Sequence, residues 1–427
     1  MSSVKSSDVG SVTSQSQSAA QQLDICIVGG GLSGLLMAVS LLKQPAIANR
    51  YQIAIIEANK LEPSQVNQFD DRVLALSHGS VEYLRSLGVW SLMADDANPI
   101  EHIHISDRGH YGKARIKAEQ HHVEALGYVI PLASIANGLL SALQTADEHS
   151  NPIQWFTDSQ IEQLSIKAEH TDIKLSASAQ AEPIDIEAKL VIACDGGQSL
   201  CRQAANIGTS QQDYDQWAVI ANVCPELPHN NRAFERFTEH GPIAMLPMTN
   251  QQCSLVWTLP PEQAEQMSTL DDQAFCLALE QAFGHWLGGI RTASKRTIFP
   301  LSLVQAERQS FHRMALVGNA SHTIHPIAGQ GFNLGLRDVK VLANLLASEL
   351  SNELASKKHD AGSAPLLNQY QTLRASDQQA IIKLTDSMVT LFSNDIAPLV
   401  AGRNVGLKVM NYLSPLQKAF VNKTMGY

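Results

Sequence analysis

Nowhere in the 427 residues does an unbroken apolar run reach the roughly 18 residues a bilayer-crossing helix needs, so any membrane contact is expected to be peripheral. Positive charge is scarce. The 31 Lys and Arg stand against 41 Asp and Glu, a formal net charge of −10, which leaves no basic footprint for a phosphate backbone and argues against nucleic acid as a partner. The six cysteines, Cys26, Cys194, Cys201, Cys224, Cys253 and Cys276, include no C-x-x-C pair, and their scatter fits a reduced, cytoplasmic compartment. Residues 1–22, "MSSVKSSDVGSVTSQSQSAAQQ", lack the apolar centre of a secretory signal and read as a disordered tail. There is no internal repeat and no Ser/His/Asp or Cys/His arrangement, so no catalytic side chain is assigned. What is present is core: 44% of residues are hydrophobic, enough for two closely packed domains.

The strand-like "DICIV" (24–28) runs into Gly29-Gly30-Gly31-Leu32-Ser33-Gly34 and then "LLMAVSLLK" at helical spacing. Gly29, Gly31 and Gly34 satisfy G-x-G-x-x-G, in which the glycines permit a tight turn, close backbone approach to a pyrophosphate, and helix–strand packing. The following helix offers free N–H groups and a positive dipole end to phosphate. Taken alone, such a turn also joins strands to helices for structural reasons. A second buried strand, "YQIAIIE", ends in Glu57, roughly 20 residues on, where a carboxylate accepts hydrogen bonds from ribose hydroxyls and disfavours a 2′-phosphate. The site is expected to hold FAD or NAD rather than NADP.

The same logic recurs twice. "KLVIACDGGQS" is a strand ending in Asp195-Gly196-Gly197, with Ser199 and Arg202 on a following helix, and "MALVGNASHTIHPIAGQGFNLGLRD" passes from a strand through Gly318-Asn319, Pro326 and Gly329-Gln330-Gly331 into an apolar helix. In that late loop bare backbone is positioned to approach a flat ring or a phosphate; a tight strand-to-helix connection with ordinary capping is the plainer alternative. His322 and His325 have too few neighbouring ligands for a metal, and none is expected.

These three motifs together resemble those of the FAD-dependent aromatic hydroxylases, the family of p-hydroxybenzoate hydroxylase, over residues from about 23 to the carboxyl terminus. "FDDRVLALSHGSVEYLRSLGVW", "HISDRGHYGKARI" and "PLQKAFVNKTMGY" are similar to its ubiquinone-biosynthesis branch. The resemblance implies an α/β fold: a Rossmann-like FAD-binding domain (23–100, 125–210 and 300–365), an inserted antiparallel-sheet substrate domain (101–124 and 211–299) and a carboxyl-terminal helical segment (366–427). It implies an FAD-dependent monooxygenase that takes NAD(P)H as transient co-substrate and, through a flavin C4a-hydroperoxide, transfers oxygen from O2 to a polyprenylated phenol of the 2-polyprenyl-6-methoxyphenol type. Another step of the same pathway, or a flavoprotein subunit organising other ubiquinone-biosynthesis proteins, is the alternative.

Carried over to this sequence, the resemblance implies cofactor contacts from Gly29, Gly30, Gly31, Leu32, Ser33, Gly34, Glu57, Asp195, Gly196, Gly318 and Asn319. It sets Arg72 against the ribityl-phosphate region and lines the isoalloxazine with Pro326, Gly329, Gln330, Gly331, Phe332 and Asn333. The family's usual Gly-Asp is here Gly318-Asn319; an amide still hydrogen-bonds a ribityl hydroxyl but carries no charge, and the methoxyphenol branch shares it. Leu132 and Ala133 stand where many relatives carry an Arg. Alternating patterns such as "HIHIS" (102–106), "ARIKA" (114–118) and "CSLVWTL" (253–259) predict the antiparallel sheet, with "GPIAMLPM" (241–248) lining a pocket or the core. His102 and His104 share one strand face, read as solvated or core. Lys408, Lys418 and Lys423 lie among apolar residues at helical spacing, so the last helix is expected to cover the FAD domain, to rest on a partner protein or on a membrane surface such as the inner face, or to do both.

Overall fold

The structure, a computed structural model, describes residues 20–64, 72–108, 112–147, 153–176, 183–326, 329–352 and 360–392, together with 421, 423 and 425. Most of the expected disordered tail, and Lys408 and Lys418, lie outside the described residues. The tail's expected end is two residues too late: the first strand is Gln21–Val28, because Gln21 and Gln22 pair in parallel register with Ile186 and Glu187.

Among the described residues that strand sits inside an eight-stranded sheet. Met314–Leu316, Ile184–Ala193, Gln21–Val28, Ile53–Glu57 and Gln154–Thr157 run parallel, side by side in that order. Both faces are covered, which is why these strands read as continuous apolar runs. Ile25 and Ile27 pack with Leu36, Leu139 and Leu342 of the helices Leu32–Leu42, Leu132–Asp147 and Gln330–Asn352, while Cys26 and Val28 join Cys201 and Leu316 on the other side.

The second sheet has nine strands among the described residues and is antiparallel apart from the pairing of Arg232–Thr238 with His102–Asp107. The helices Pro261–Thr269 and Asp272–Phe283 cover one of its faces through Phe275, Leu279 and Phe283. His104 belongs to this face, with its ring centroid 4.6 Å from that of Trp286, and burial together with Arg115 and Arg232 drives its pKa down to about 4. It is a neutral core histidine, as the plainer expectation had it. The domain boundary expected at residue 300 cuts the strand Thr297–Ala306, all of which pairs into this sheet, with Pro300 in register opposite Trp217. Likewise the boundary at 366 falls inside the helix Ala364–Phe392.

A small sheet, Val73–Ser77, Gly127–Pro131 and Asn98–Ile100, lies between the two large ones. Near the carboxyl end, Lys423 Nζ is 3.0 Å from Asp377 Oδ1, and Val421 and Met425 pack with Ile105 and Phe237. Lys423 therefore faces the protein rather than a membrane. No helix among the described residues is long and apolar enough to cross a bilayer.

A buried ionic knot holds the end of strand Met314–Leu316. Asp338 Oδ2 accepts the Gly318 N–H at 3.0 Å and lies 3.0 Å from His322 Nε2, and Oδ1 accepts from Arg374 Nε at 2.6 Å and Gln378 Nε2 at 3.0 Å. Burial opposes ionisation of Asp338, but His322 and Arg374 outweigh it and hold the carboxyl below its usual range. Replacing Asp338 by Ala leaves His322, the Gly318 N–H and the Gln378 amide without their acceptor and Arg374 with Asp377 as its remaining carboxylate, and is expected to cost about 3–5 kcal/mol, read as a lowered denaturant midpoint at unchanged slope.

Candidate cofactor site

Three adjacent strands, Met314–Leu316, Ile184–Ala193 and Gln21–Val28, each run at their carboxyl ends into a glycine turn, the edge where open parallel sheets bind ligands. These turns touch. Gly29, at φ +102°, comes so near the second turn that a Cβ would stand 2.5 Å from Cys194 O, and a Cβ on Gly34 would stand 1.9 Å from Gly29 O. Across the crevice a Cβ on Gly318 would fall 2.8 Å from Ser33 Oγ, so the first and last motifs are in contact. Arg202 staples the middle turn to the late loop, donating to Gly197 O and Ala320 O, each at 2.8 Å.

Gly31, Gly196 and Gly331 are different, since a Cβ at any of them would meet nothing within 4 Å. Gly31 opens the helix Leu32–Leu42 without a side-chain cap, and Gly331 lies in the first turn of Gln330–Asn352. At Gly31 and Gly331 the protein's own structure gives no reason for glycine, whereas at Gly196 a φ of +82° favours it. Beside Gly196, Asp195 Oδ2 accepts the Cys201 N–H at 3.0 Å, while Oδ1 is buried with no hydrogen-bond partner. A buried carboxylate oxygen left this way is costly unless a ligand donor completes it. The open glycines and the orphaned oxygen fit a pyrophosphate and the hydroxyls of a dinucleotide.

Other expected contacts are distributed around this crevice. Glu57 Oε2 accepts the Gly30 N–H at 2.6 Å and Oε1 accepts from Asn59 N at 3.0 Å, and a carboxylate's remaining lone pairs still leave room for a ribose hydroxyl. Asn319 is exposed on the turn Gly318–Ala320, Arg72 is exposed, and Leu32, Ser33, Pro326 and Phe332 are half-buried. Residues 327 and 328 lie outside the described residues. Gln330 is buried.

Asn333 departs most from expectation. Its Oδ1 accepts from Ser77 N at 2.8 Å and Ser80 Oγ at 2.7 Å, and its Nδ2 donates to Ala75 O and Gly329 O at 2.8 and 2.6 Å. Its amide is occupied in tying the strand Val73–Ser77 to the Gly329 turn, so it shapes the late loop. Cys194 and Cys201 are kept as neutral thiols by burial, which rules them out as nucleophiles. Burial also lowers His325 to about 4, so its ring is neutral at pH 7. The sequence reading missed the Asp338 knot, which is built from side chains on two helices and the late loop and leaves no local pattern around "GLRD".

The two classes of glycine make a prediction. Gly34→Ala, forced against the Gly29 carbonyl, is expected to destabilise the apoprotein by about 1–3 kcal/mol or more. Gly31→Ala is expected to leave its melting temperature within about 2 °C, and thermal unfolding of both apoproteins separates the two cases.

Known proteins carry the same architecture. The FAD binding domain family matches residues 22–384. The ubiquinone hydroxylase UbiL of Rhodospirillum rubrum is 31% identical over 414 residues, covering 96% of this chain and 91% of its own. The mitochondrial ubiquinone biosynthesis monooxygenase COQ6 of Homo sapiens is 28% identical over 448 residues, covering 94% and 92%. Among solved structures, p-nitrophenol 4-monooxygenase PnpA from Pseudomonas putida DLL-E4 superposes with a TM-score of 0.75 at 15% identity, covering 95% of this chain and 99% of its own. PqsL from Pseudomonas aeruginosa, a probable FAD-dependent monooxygenase, gives 0.71 at 18%, covering 91% and 100%; at such identities the likeness is one of fold. With the family spanning nearly all of the parallel sheet, its glycine crevice and the antiparallel sheet, the chain belongs to the FAD binding domain family and is an FAD-dependent monooxygenase.

Proposed function

We propose that this monooxygenase hydroxylates a polyprenylated phenol of the 2-polyprenyl-6-methoxyphenol type on the route to ubiquinone, using O2 and NAD(P)H as a transient co-substrate. The names of its relatives UbiL and COQ6 supply the pathway. The observation that carries the chemistry is the crevice in which three glycine turns converge beside the unpartnered Asp195 Oδ1.

In this reading Gly29 to Gly34 receive the pyrophosphate on the uncapped helix start, Glu57 takes the adenosine ribose, and Arg72 lies along the ribityl phosphate. Asp195, Gly196, Gly318 and Asn319 meet the ribityl and phosphate groups. Pro326 and the turn Gly329 to Phe332 back the isoalloxazine, with Asn333 holding that turn in shape. The bound flavin supplies the redox and oxygen-transfer chemistry. The chain's own task is to orient ring and phenol and to exclude water. The parallel sheet serves the cofactor and the antiparallel sheet the substrate; the enzyme works in the cytoplasm, in peripheral contact with the membrane where a prenylated phenol resides.

Two measurements test this. Gly331→Ala replaces glycine inside a helix with no steric conflict, so the apoprotein is expected to be as stable as wild type or up to about 1 kcal/mol more stable. Its FAD affinity, read by flavin fluorescence quenching, is expected to fall at least about tenfold, or about 1.4 kcal/mol. Unchanged affinity would remove the turn from the flavin site. Second, FAD-loaded enzyme given 2-polyprenyl-6-methoxyphenol, NAD(P)H and 18O2 is expected to yield a product carrying one labelled oxygen. NAD(P)H oxidation with only hydrogen peroxide formed would refute the assignment of that substrate.

A further inference from the structure

The antiparallel sheet has two unlike faces, and strand register fixes which residues share each. Phe234, Ile243, Met245, Leu255 and Trp257 face the covering helices. On the opposite face Glu235 is paired in register with Ile105 on one side and Ala244 on the other, followed across the sheet by Val256 and Ile220. Two residues away in each direction this face is closed. Ala233 packs with Val73, Val129 and Leu246, and Phe237 packs with Ile105, Ile116 and Met425.

Between those two packed clusters Glu235, Ala244, Val256 and Ile220 stay half-buried, leaving a hydrocarbon floor with a single carboxyl group in it. Val73, at the edge of this floor, begins the strand that Asn333 ties to the Gly329 turn. The Ala233 end of this face is therefore joined through the strand Val73–Ser77 to the late glycine loop.

Glu235 Oε1 is closed off from solvent and has no hydrogen-bond partner. Most charged groups around it are engaged elsewhere or turned away. Arg236 is on the helix-covered face, donating to Ala282 O, and Arg232 shares that face. Asp107, in register with Phe237, shares the face of Glu235 two positions along the sheet and is buried there. Tyr214 donates to Asp386 at 3.4 Å and meets the His325 ring, while Lys423 pairs with Asp377. Burial, with no neighbouring charge to offset it, lifts the Glu235 carboxyl to about 7. A proton acceptor works best when poised near the operating pH.

We propose that Glu235 is the general base for the substrate: as the ring is attacked, the phenolic O–H bond breaks and its proton passes to the Glu235 carboxylate, so that the ring gains phenolate character at the moment oxygen is transferred. The proposal rests on the reading of the substrate as a phenol. The neutral acid so formed returns its proton to solvent when product leaves.

The test uses FAD-loaded wild type, Glu235→Gln and Glu235→Asp, each titrated with 2-methoxyphenol across neutral and alkaline pH. Ionisation of the bound phenol is read from its ultraviolet difference spectrum, and single-turnover hydroxylation is measured in parallel. In wild type the single-turnover rate is expected to rise with pH as the Glu235 carboxyl loses its proton near pH 7, while the bound phenol, whose free pKa is about 10, stays neutral there. Glu235→Gln is expected to bind FAD and phenol within about threefold of wild type, lose the rise near pH 7, and hydroxylate about 10²–10³-fold more slowly at pH 7, recovering only as the phenol itself ionises at alkaline pH. Glu235→Asp is expected to keep part of the rate at pH 7. A Gln variant whose rate profile matches wild type overturns the role of Glu235 alone. A wild type that binds FAD but no phenol overturns the substrate reading and this role with it. Should the Gln variant not fold, Glu235→Ala with added formate decides: a restored rate at pH 7 supports the proposal, and none overturns it.

Discussion

The carbonyl oxygen of Gly29 occupies the space a side chain on Gly34 would need, while the α-carbon of Gly29 presses on the carbonyl of Cys194. This contact of backbone with backbone joins the ends of two neighbouring parallel strands and the start of the first helix into one rigid corner. The geometry of the crevice follows from it. Once Gly29 is fixed against Cys194, Asp195 and Gly196 stand beside the uncapped start of the helix Leu32–Leu42, and Ser33 is close enough to touch Gly318 on the third strand's turn. The site is thus pre-formed by packing, with the open glycines as the places where packing stops.

The third turn needs different support, because its strand, Met314–Leu316, is short and near the edge of the sheet. The Asp338 knot provides it, gripping the Gly318 N–H with one oxygen and Arg374 with the other. Four charges and dipoles meeting in a dry interior gain little net stability over apolar packing, but they tolerate few alternative arrangements. Asn333 repeats the device a turn earlier on the same helix, using all of its amide to fix Gly329 against the strand Val73–Ser77. Two polar knots on one helix therefore set the position of the late loop relative to both sheets.

These differences explain which parts of the molecule were legible in the sequence. Parallel strands ending in glycine carry a local signature, so "DICIVGGG", "VIACDGG" and "MALVGNA" disclosed their turns without any knowledge of tertiary structure. The roles of individual polar residues inside those motifs were less legible. Asn333 was expected at the flavin ring, and nothing in "GQGFNLG" says that its amide is taken by Ser77 and Ala75, more than 250 positions earlier in the chain. The boundary at residue 300 failed for a related reason: Thr297–Ala306 belongs to the antiparallel sheet through pairing with residues 209–220, and such distant partners leave no mark in the residues around position 300. Period-two alternation did reveal the antiparallel strands, but a strand such as "RAFERFT" does not declare which face meets helices and which meets a ligand.

That ambiguity matters because, on the reading proposed above, the two faces of the antiparallel sheet divide the labour of a hydroxylase. A flavin that delivers oxygen must be shielded from water, which calls for apolar walls; the substrate, however, must become more electron-rich at the moment of attack, which calls for a polar group inside those walls. Serving both with one sheet requires most of the ligand-facing side to be hydrocarbon and a single titratable residue to interrupt it. Ala244, Val256 and Ile220 meet the first requirement. The cost of leaving Glu235 unpartnered among them, which an apolar residue would avoid, meets the second, since a carboxyl that is easily satisfied within the protein has no reason to take a proton from anything else.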